Sequence, residues 1–237
     1  MIPILKKNEP WPEEFPQEGF VVLINKPEEW TSFDVVNKIR RSLKIKKVGH
    51  AGTLDPFATG LLIVGVGKGT RYMQQFVGLE KRYLARMCLG GETDTYDKTG
   101  QIVVRKAIDG VDEAQVQQVV ATMVGEQMQL PPMYSAKKVN GIPLYKLARK
   151  GKVIKRKPVP ITVYQARLLR FDLPYVTVEL LVSKGTYVRS LAHELGRRLG
   201  TGAYLDALQR TQIGAYRVED SFEINAFVDL WKTKVGR

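Results

Sequence analysis

The chain has few of the residues that build metal centres, disulfides or membrane spans. Among its 237 residues it has one cysteine, Cys88, and two histidines, His50 and His193. A single cysteine excludes an internal disulfide, and a Cys/His zinc site is not expected from so few ligands. No apolar run approaches the roughly 20 residues that span a bilayer, and the first residues lack the layout of a signal peptide. We therefore predict a cytoplasmic protein without a metal.

Acidic residues are also scarce beside basic ones. The chain has 24 Asp and Glu against 37 Lys and Arg, a net charge of +13. Such an excess favours an anionic partner, either nucleic acid or an anionic membrane surface. Nucleic acid is the stronger interpretation, because no long basic amphipathic helix is evident. The chain shows no linkers or internal repeats, so we predict one domain over residues 1–237 with an extended N-terminal arm at 1–19.

The apolar pattern predicts alternating strands and helices. Strands are predicted at residues 20–24, 61–66, 80–89, 159–171 and 175–182. Helices are predicted at residues 32–43, 71–76, 112–124, 144–149, 187–199 and 221–231. A phosphate-binding loop at Gly67-Lys68 is excluded, because the motif would need glycine where Leu62 stands and Ser or Thr at Gly69.

The most informative stretch is residues 49–65, a glycine-rich loop that leads into an apolar run. It presents one carboxylate, Asp55, before Pro56, which fixes its own φ and restricts the residue that precedes it. The glycines of the loop permit turns that other residues resist. A carboxylate on a stiff loop beside a buried strand is well placed for catalysis, although an isolated Asp-Pro pair is usually only a turn.

Two other features involve positive charge. Arg189 lies in the first turn of a predicted helix, where the dipole favours acids, and this predicts a carboxylate nearby. Residues 126–157 differ in character from their surroundings and carry a dense cluster of basic residues. These are Arg149, Lys150, Lys152, Lys155, Arg156 and Lys157. Because like charges repel, the cluster is either a solvated loop or a segment that binds a phosphate backbone, and we favour the second interpretation.

These residues together resemble one family, the bacterial TruB-type tRNA pseudouridine synthases. The resemblance rests on Lys26-Pro27, residues 49–60, Lys81-Arg82-Tyr83, residues 93–97, residues 131–137 and residues 183–189, in that order. It implies the α+β pseudouridine synthase fold, a central and mainly antiparallel sheet flanked by helices, with residues 126–157 as an RNA-gripping thumb. Many members carry a C-terminal PUA domain. This chain ends soon after the matched portion, so we expect a short form without it.

The resemblance implies isomerisation of the uridine at tRNA position 55, in the T loop, to pseudouridine by base flipping, with no metal and no organic cofactor. Asp55 matches the catalytic aspartate, which acts either as a covalent nucleophile or as a base that removes the ribose 2′ proton. Arg189 matches the arginine that pairs with this aspartate. Tyr83 matches the aromatic residue that stacks on the flipped uracil. Tyr187 matches a second tyrosine, proposed to handle a proton on the rearranged base.

The remaining matches concern RNA binding and the uracil pocket. His50 matches a histidine that contacts RNA near the flipped base, and Leu208 an apolar residue that lines the pocket. Lys26 and Asp97 match residues with structural or RNA-positioning roles. The implied partner is the T stem-loop of tRNA, bound by a monomer without a guide RNA. Two alternatives remain, namely a related guide-dependent synthase that acts on another RNA, and a non-enzymatic module that binds the T arm.

Overall fold

A computed structural model describes residues 2–12, 16, 18–135, 138–139, 141–148 and 154–235. Its strands are β1 (Ile4–Leu5), β2 (Gly19–Lys26), β3 (Val48–His50), β4 (Thr59–Gly67), β5 (Lys81–Leu89), β6 (Gly91–Thr93), β7 (Ile102–Arg105), β8 (Gly125–Gln129), β9 (Lys138–Val139), β10 (Ile142–Pro143), β11 (Val159–Asp172), β12 (Tyr175–Val182), β13 (Ala203–Ile213), β14 (Tyr216–Arg217) and β15 (Phe222–Glu223). Its helices are α1 (Ser32–Leu43), α2 (Met73–Val77), α3 (Glu113–Ala121), α4 (Leu144–Ala148), α5 (Val188–Leu199) and α6 (Ile224–Val235), with 3₁₀ turns at Lys68–Tyr72 and Val218–Asp220.

The predicted elements are confirmed, with small differences at their ends. Thr31 caps α1, and Asp34 completes a capping box there, as the polar residues before the helix predicted. Spacing in this helix predicts that Phe33, Val36, Ile39 and Leu43 share a buried face, and this is wrong at Phe33, whose side chain is 57% exposed. Val35 is buried in its place. The predicted helix at 71–76 divides into a 3₁₀ turn followed by α2.

The chain forms two compact units. Unit 1 contains residues 1–83 and 208–237, and unit 2 contains residues 84–207. Within unit 1 the strand order is β1-β2-β4-β13-β5, and within unit 2 it is β13-β5-β12-β11-β8, because β5 and β13 each run from one unit into the other. Two compact units can belong to one domain, so the single domain over residues 1–237 stays a prediction.

Unit 1 buries both faces of its sheet. Along β2, Val22 and Ile24 pack in one apolar cluster with residues of α1 and α6. Val21 and Leu23, which alternate with them, pack in another cluster with residues of α2. This alternation follows from the two-residue period of a strand. Within the predicted N-terminal arm, β1 pairs in parallel with β2, and Leu5 is buried.

Unit 2 is built on a long antiparallel hairpin. Strand β11 pairs with β12 on one side and with β8 on the other, and both pairings are antiparallel. Helix α3 contacts α5 and β11. The predicted α+β class with a mainly antiparallel sheet is therefore confirmed. Among the described residues, no helix combines the length and apolar character needed to cross a bilayer.

Candidate active site

The loop that carries Asp55 is held on both sides by buried side chains. Leu54 and Phe57 are 3% and 5% exposed, whereas Asp55 between them is only partly buried. The Leu54 backbone N–H donates to Ser32 Oγ at 2.9 Å, and that hydroxyl donates back to the Leu54 carbonyl at 3.3 Å. The Ala58 N–H donates to the Asp55 carbonyl at 3.1 Å, which closes a turn. The carboxylate therefore belongs to a loop whose neighbouring residues have little freedom.

Lys26 fixes the far side of this loop. Its side chain is fully buried, and Nζ donates to the carbonyl oxygens of Pro27 at 2.8 Å, Trp30 at 2.5 Å and Pro56 at 3.1 Å. Burial lowers the pKa of Lys26 to about 8, although the negative charge of Asp55 opposes the shift. This lysine is therefore a structural cation that ties the end of β2 to the Asp55 loop.

Arg210 on β13 makes a second tie to the loop. The arginine is 1% exposed, and it donates from Nε to the Leu61 carbonyl at 2.8 Å and from a terminal nitrogen to the Gly52 carbonyl at 3.2 Å. Strand β13 passes so close to Gly60 that a Cβ there would lie 2.3 Å from the Arg210 carbonyl oxygen. Gly60 also has a φ of +103°, so both space and backbone conformation require glycine.

Three further candidate residues lie in unit 1. Tyr83 on β5 and Leu208 on β13 are 8% and 7% exposed. His50 ends β3, and its Nδ1 is buried without a hydrogen-bond partner among the described residues. Burial lowers the pKa of His50, and the positive charge of Arg210 lowers it further. Both effects favour the neutral form of the imidazole.

Arg189 and Asp97 form a buried ion pair in unit 2. A terminal nitrogen of Arg189 lies 3.1 Å from Asp97 Oδ2, and the two side chains are 5% and 4% exposed. The other Asp97 oxygen accepts from Thr95 Oγ1 at 2.8 Å, the Thr99 N–H at 3.0 Å and Thr99 Oγ1 at 2.5 Å. Arg189 also donates to the Tyr134 carbonyl at 2.7 Å. The predicted carboxylate near Arg189 is thus Asp97, and the implied pairing of Arg189 with Asp55 stays a prediction.

Tyr187 is positioned by Gln129 at the end of β8. The Gln129 amide accepts from the Tyr187 N–H at 2.7 Å and donates to the Tyr187 carbonyl at 3.1 Å. Tyr187 is the N-cap of α5. One glutamine therefore fixes the backbone at the beginning of the helix that carries Arg189.

The segment predicted as a thumb is only partly described. Of its basic cluster, Arg149, Lys150 and Lys152 lie outside the described residues. Lys155 and Lys157 are exposed, and Arg156 donates to the Pro131 carbonyl at 2.8 Å. The first residues of the segment belong to β8, which pairs with β11.

Sequence reasoning missed Ser32, Gln129 and Arg210 as residues that build the site. Arg210 had a signal in the sequence, because it interrupts the apolar positions of the strand between Leu208 and Ile213. A charged residue at a buried strand position is rare unless it is paired or hydrogen-bonded. Ser32 had none, since a serine at the beginning of a helix is ordinarily explained by capping alone.

Comparisons with known proteins agree over most of the chain. The family model for the TruB family pseudouridylate synthase N-terminal domain matches residues 40–188. The model for the tRNA pseudouridylate synthase B C-terminal domain matches residues 189–236. The two matches adjoin, so together they account for nearly all residues from 40 onward.

Individual proteins support the same assignment. The tRNA pseudouridine synthase B of Opitutus terrae is 46% identical over 206 residues, which are 87% of this chain and 86% of the relative. That of Chlorobaculum tepidum is 43% identical over 218 residues, 90% of this chain and 91% of the relative. The crystal structure of a Cbf5-Nop10-Gar1 complex matches with a TM-score of 0.74 and 29% identity, over 98% of this chain and 63% of that chain.

These matches confirm the predicted pseudouridine synthase fold and establish that the protein is an enzyme. The identity to the two bacterial relatives extends over most of both partners, which excludes a likeness limited to one motif. The chain belongs to the TruB family of pseudouridylate synthases, enzymes that isomerise uridine to pseudouridine.

Proposed function

We propose that this enzyme acts on tRNA and converts the uridine at position 55 of the T loop to pseudouridine. The relatives at 43–46% identity are named tRNA pseudouridine synthase B, which supports tRNA as the substrate class. The choice of the T loop and of one uridine rests on the resemblance of residues 49–60 to the family's central motif.

Asp55 is the proposed catalytic carboxylate. The observation that carries this assignment is the construction of its loop, in which Lys26 and Arg210, both fully or almost fully buried, hold the backbone on either side of Asp55. Burying a cation costs desolvation free energy, and two buried cations beside a turn without a function would be hard to explain. Prepositioning a reactive group in this way is what lowers the barrier of a reaction between bound partners.

The remaining residues have proposed roles around the same uridine. Tyr83 stacks on the flipped uracil, and such stacking is worth about 1–3 kcal/mol, comparable to the few kcal/mol that flipping a base costs. Leu208 lines the uracil pocket, His50 contacts RNA as a neutral imidazole, and Tyr187 handles a proton. Arg189 is proposed to keep Asp55 ionised and oriented, and Asp97 to hold Arg189. Lys155, Arg156 and Lys157 bind phosphates.

The family assignment excludes the non-enzymatic T-arm module, and the guide-dependent alternative is tested by a direct assay. Unmodified tRNA transcripts are incubated with purified protein and no guide RNA, and pseudouridine is mapped along the whole transcript. We expect modification at position 55 alone. A requirement for a guide or for partner proteins would support the guide-dependent alternative. The structural likeness to a Cbf5-Nop10-Gar1 complex is the reason to test it.

The variant Asp55→Asn separates catalysis from binding. We expect it to bind tRNA with nearly wild-type affinity and to form no pseudouridine, because the amide can act neither as a nucleophile nor as a base of comparable strength. Undiminished turnover would contradict the proposed role of Asp55. Action as a monomer in the cytoplasm, where tRNA is found, completes the proposal.

A further inference from the structure

A short turn between α1 and β3 presents a row of exposed positive charges. We call residues 41–47 the basic turn. Its exposed cations are Arg41, Lys44, Lys46 and Lys47. The sequence from residue 35 to residue 54 contains no Asp and no Glu, so no acid within this stretch balances them. Among the described residues, none of the four makes an ion pair.

The basic turn is rigidly built. Helix α1 ends at Leu43, and Lys44 takes the left-handed conformation with a φ of 56°. The Ile45 N–H then donates to the Arg40 carbonyl at 3.2 Å, and the Ile45 side chain packs on the apolar cluster beneath it. Arg40 donates to the carbonyls of Lys46 at 3.1 Å and Val48 at 3.3 Å. The Lys47 carbonyl accepts from the Gly67 N–H at 2.8 Å, so backbone bonds hold the turn along its length.

Several exposed cations elsewhere are paired with acids, such as Lys68 with Glu18, Arg170 with Asp172, and Lys232 with Asp229. The basic turn differs because its charges are held side by side on a fixed backbone. Mutual repulsion makes such an arrangement unfavourable unless an anion compensates it. This contrast indicates a surface that is completed by a partner.

The basic turn lies away from the catalytic loop but in the same unit. Lys47 meets Gly67 at the end of β4, whereas the Asp55 loop leads into the beginning of that strand near Gly60. At about 3.3 Å per residue, these two ends of β4 are about 20 Å apart. A partner that contacts both points must therefore extend over at least about 20 Å.

We propose that the basic turn is a distal anchoring surface that binds the phosphate backbone of the RNA substrate about 20 Å from the uridine being modified. This inference rests on the proposed function for the identity of that RNA. The two apolar residues of the turn, Leu43 and Ile45, pack in and against the core cluster, so its outer surface lacks the apolar anchors of a membrane-binding segment. The fixed cations suit phosphates along one strand.

The test compares two triple variants with equal loss of charge. The first is Lys44→Gln/Lys46→Gln/Lys47→Gln, and the control is Lys7→Gln/Lys106→Gln/Arg217→Gln, whose three side chains are also exposed. Affinity for an unmodified tRNA transcript is measured over a range of salt concentrations. In the turn variant we expect affinity at about 0.1 M salt to fall at least about tenfold and the log–log salt slope to decrease by about 2 to 3. The control is expected to change much less.

Turnover is measured on the same proteins. We expect the turn variant to raise the KM for tRNA with an almost unchanged kcat, because the turn is far from the reacting atoms. A salt slope equal to that of the wild type, or an equal loss in the control, would overturn the proposal. So would a variant that loses binding to phosphatidylserine vesicles but retains tRNA affinity. A wild type that binds tRNA through the turn without forming pseudouridine would instead refute the proposed function and support this surface.

Discussion

Arg189 and Asp97 are joined by a 3.1 Å ion pair that is almost completely buried. The carboxylate is saturated, since Thr95 and Thr99 donate to its other oxygen. An arginine in the first turn of a helix is opposed by the helix dipole, and Asp97 offsets this. The pair therefore fixes the guanidinium within unit 2 whatever else Arg189 contacts.

Removal of this carboxylate should destabilise the protein strongly. We expect Asp97→Asn to lower the free energy of unfolding by about 3 kcal/mol, because it breaks a buried ion pair on one side only. Thr99→Val, which removes one hydrogen bond to the same oxygen, should cost about 1–2 kcal/mol. Urea unfolding measures both. An Asp97→Asn protein as stable as the wild type would show that the pair contributes little.

Lys26 should make stability depend on alkaline pH in a defined direction. Its pKa is about 8 in the folded protein and 10.5 ordinarily, so between these values the unfolded chain binds more protons at this site. The contribution of Lys26 to the free energy of unfolding therefore rises as pH rises through that window. We expect the stability difference between wild type and Lys26→Met to shift in favour of the wild type from pH 8 to pH 10. A pH-independent difference would contradict the shifted pKa.

Gly60 should not tolerate even alanine. Its Cβ would meet the Arg210 carbonyl at 2.3 Å, and its φ of +103° is unfavourable for any other residue. We expect Gly60→Ala to lower the free energy of unfolding by at least about 3 kcal/mol, from overpacking and backbone strain together. Gly110→Ala is the matched control, because Gly110 also has positive φ (+80°) but open space around it. It should lose only about 1–2 kcal/mol, from strain alone. Equal losses would show that contact with β13 is unimportant.

The described cations of the thumb should contribute to RNA binding through charge alone. We expect Lys155→Gln/Lys157→Gln to reduce the log–log salt slope of tRNA binding by about 1 to 2, with little effect on the free energy of unfolding, since both side chains are exposed. Filter binding at several salt concentrations and urea unfolding provide the two readouts. An unaltered slope would indicate a solvated loop with no phosphate contact.

Several parts of the fold were accessible from local pattern. The strands β2, β4, β5, β11 and β12 have apolar runs or alternation, and α1 and α5 have clear beginnings, so neighbouring residues alone specify them. The buried face of α1 was harder to predict, because Phe33 is apolar yet 57% exposed. Burial along this helix depends on which side faces the sheet, and the hydrophobicity of a single residue does not reveal that.

The chain by itself determined the elements with a clear apolar pattern, the excess of positive charge and the motif around Asp55, whereas strands such as β8 and β13 were not predicted. Each of these depends on residues close together in sequence. Only the tertiary structure decided that Arg210, 155 residues after Asp55 in the chain numbering, supports the Asp55 loop, and that Gln129 supports Tyr187. It likewise selected Asp97 as a partner of Arg189. The physical reason is that a buried polar group must find hydrogen-bond partners in space, and burial brings together residues that no local pattern connects.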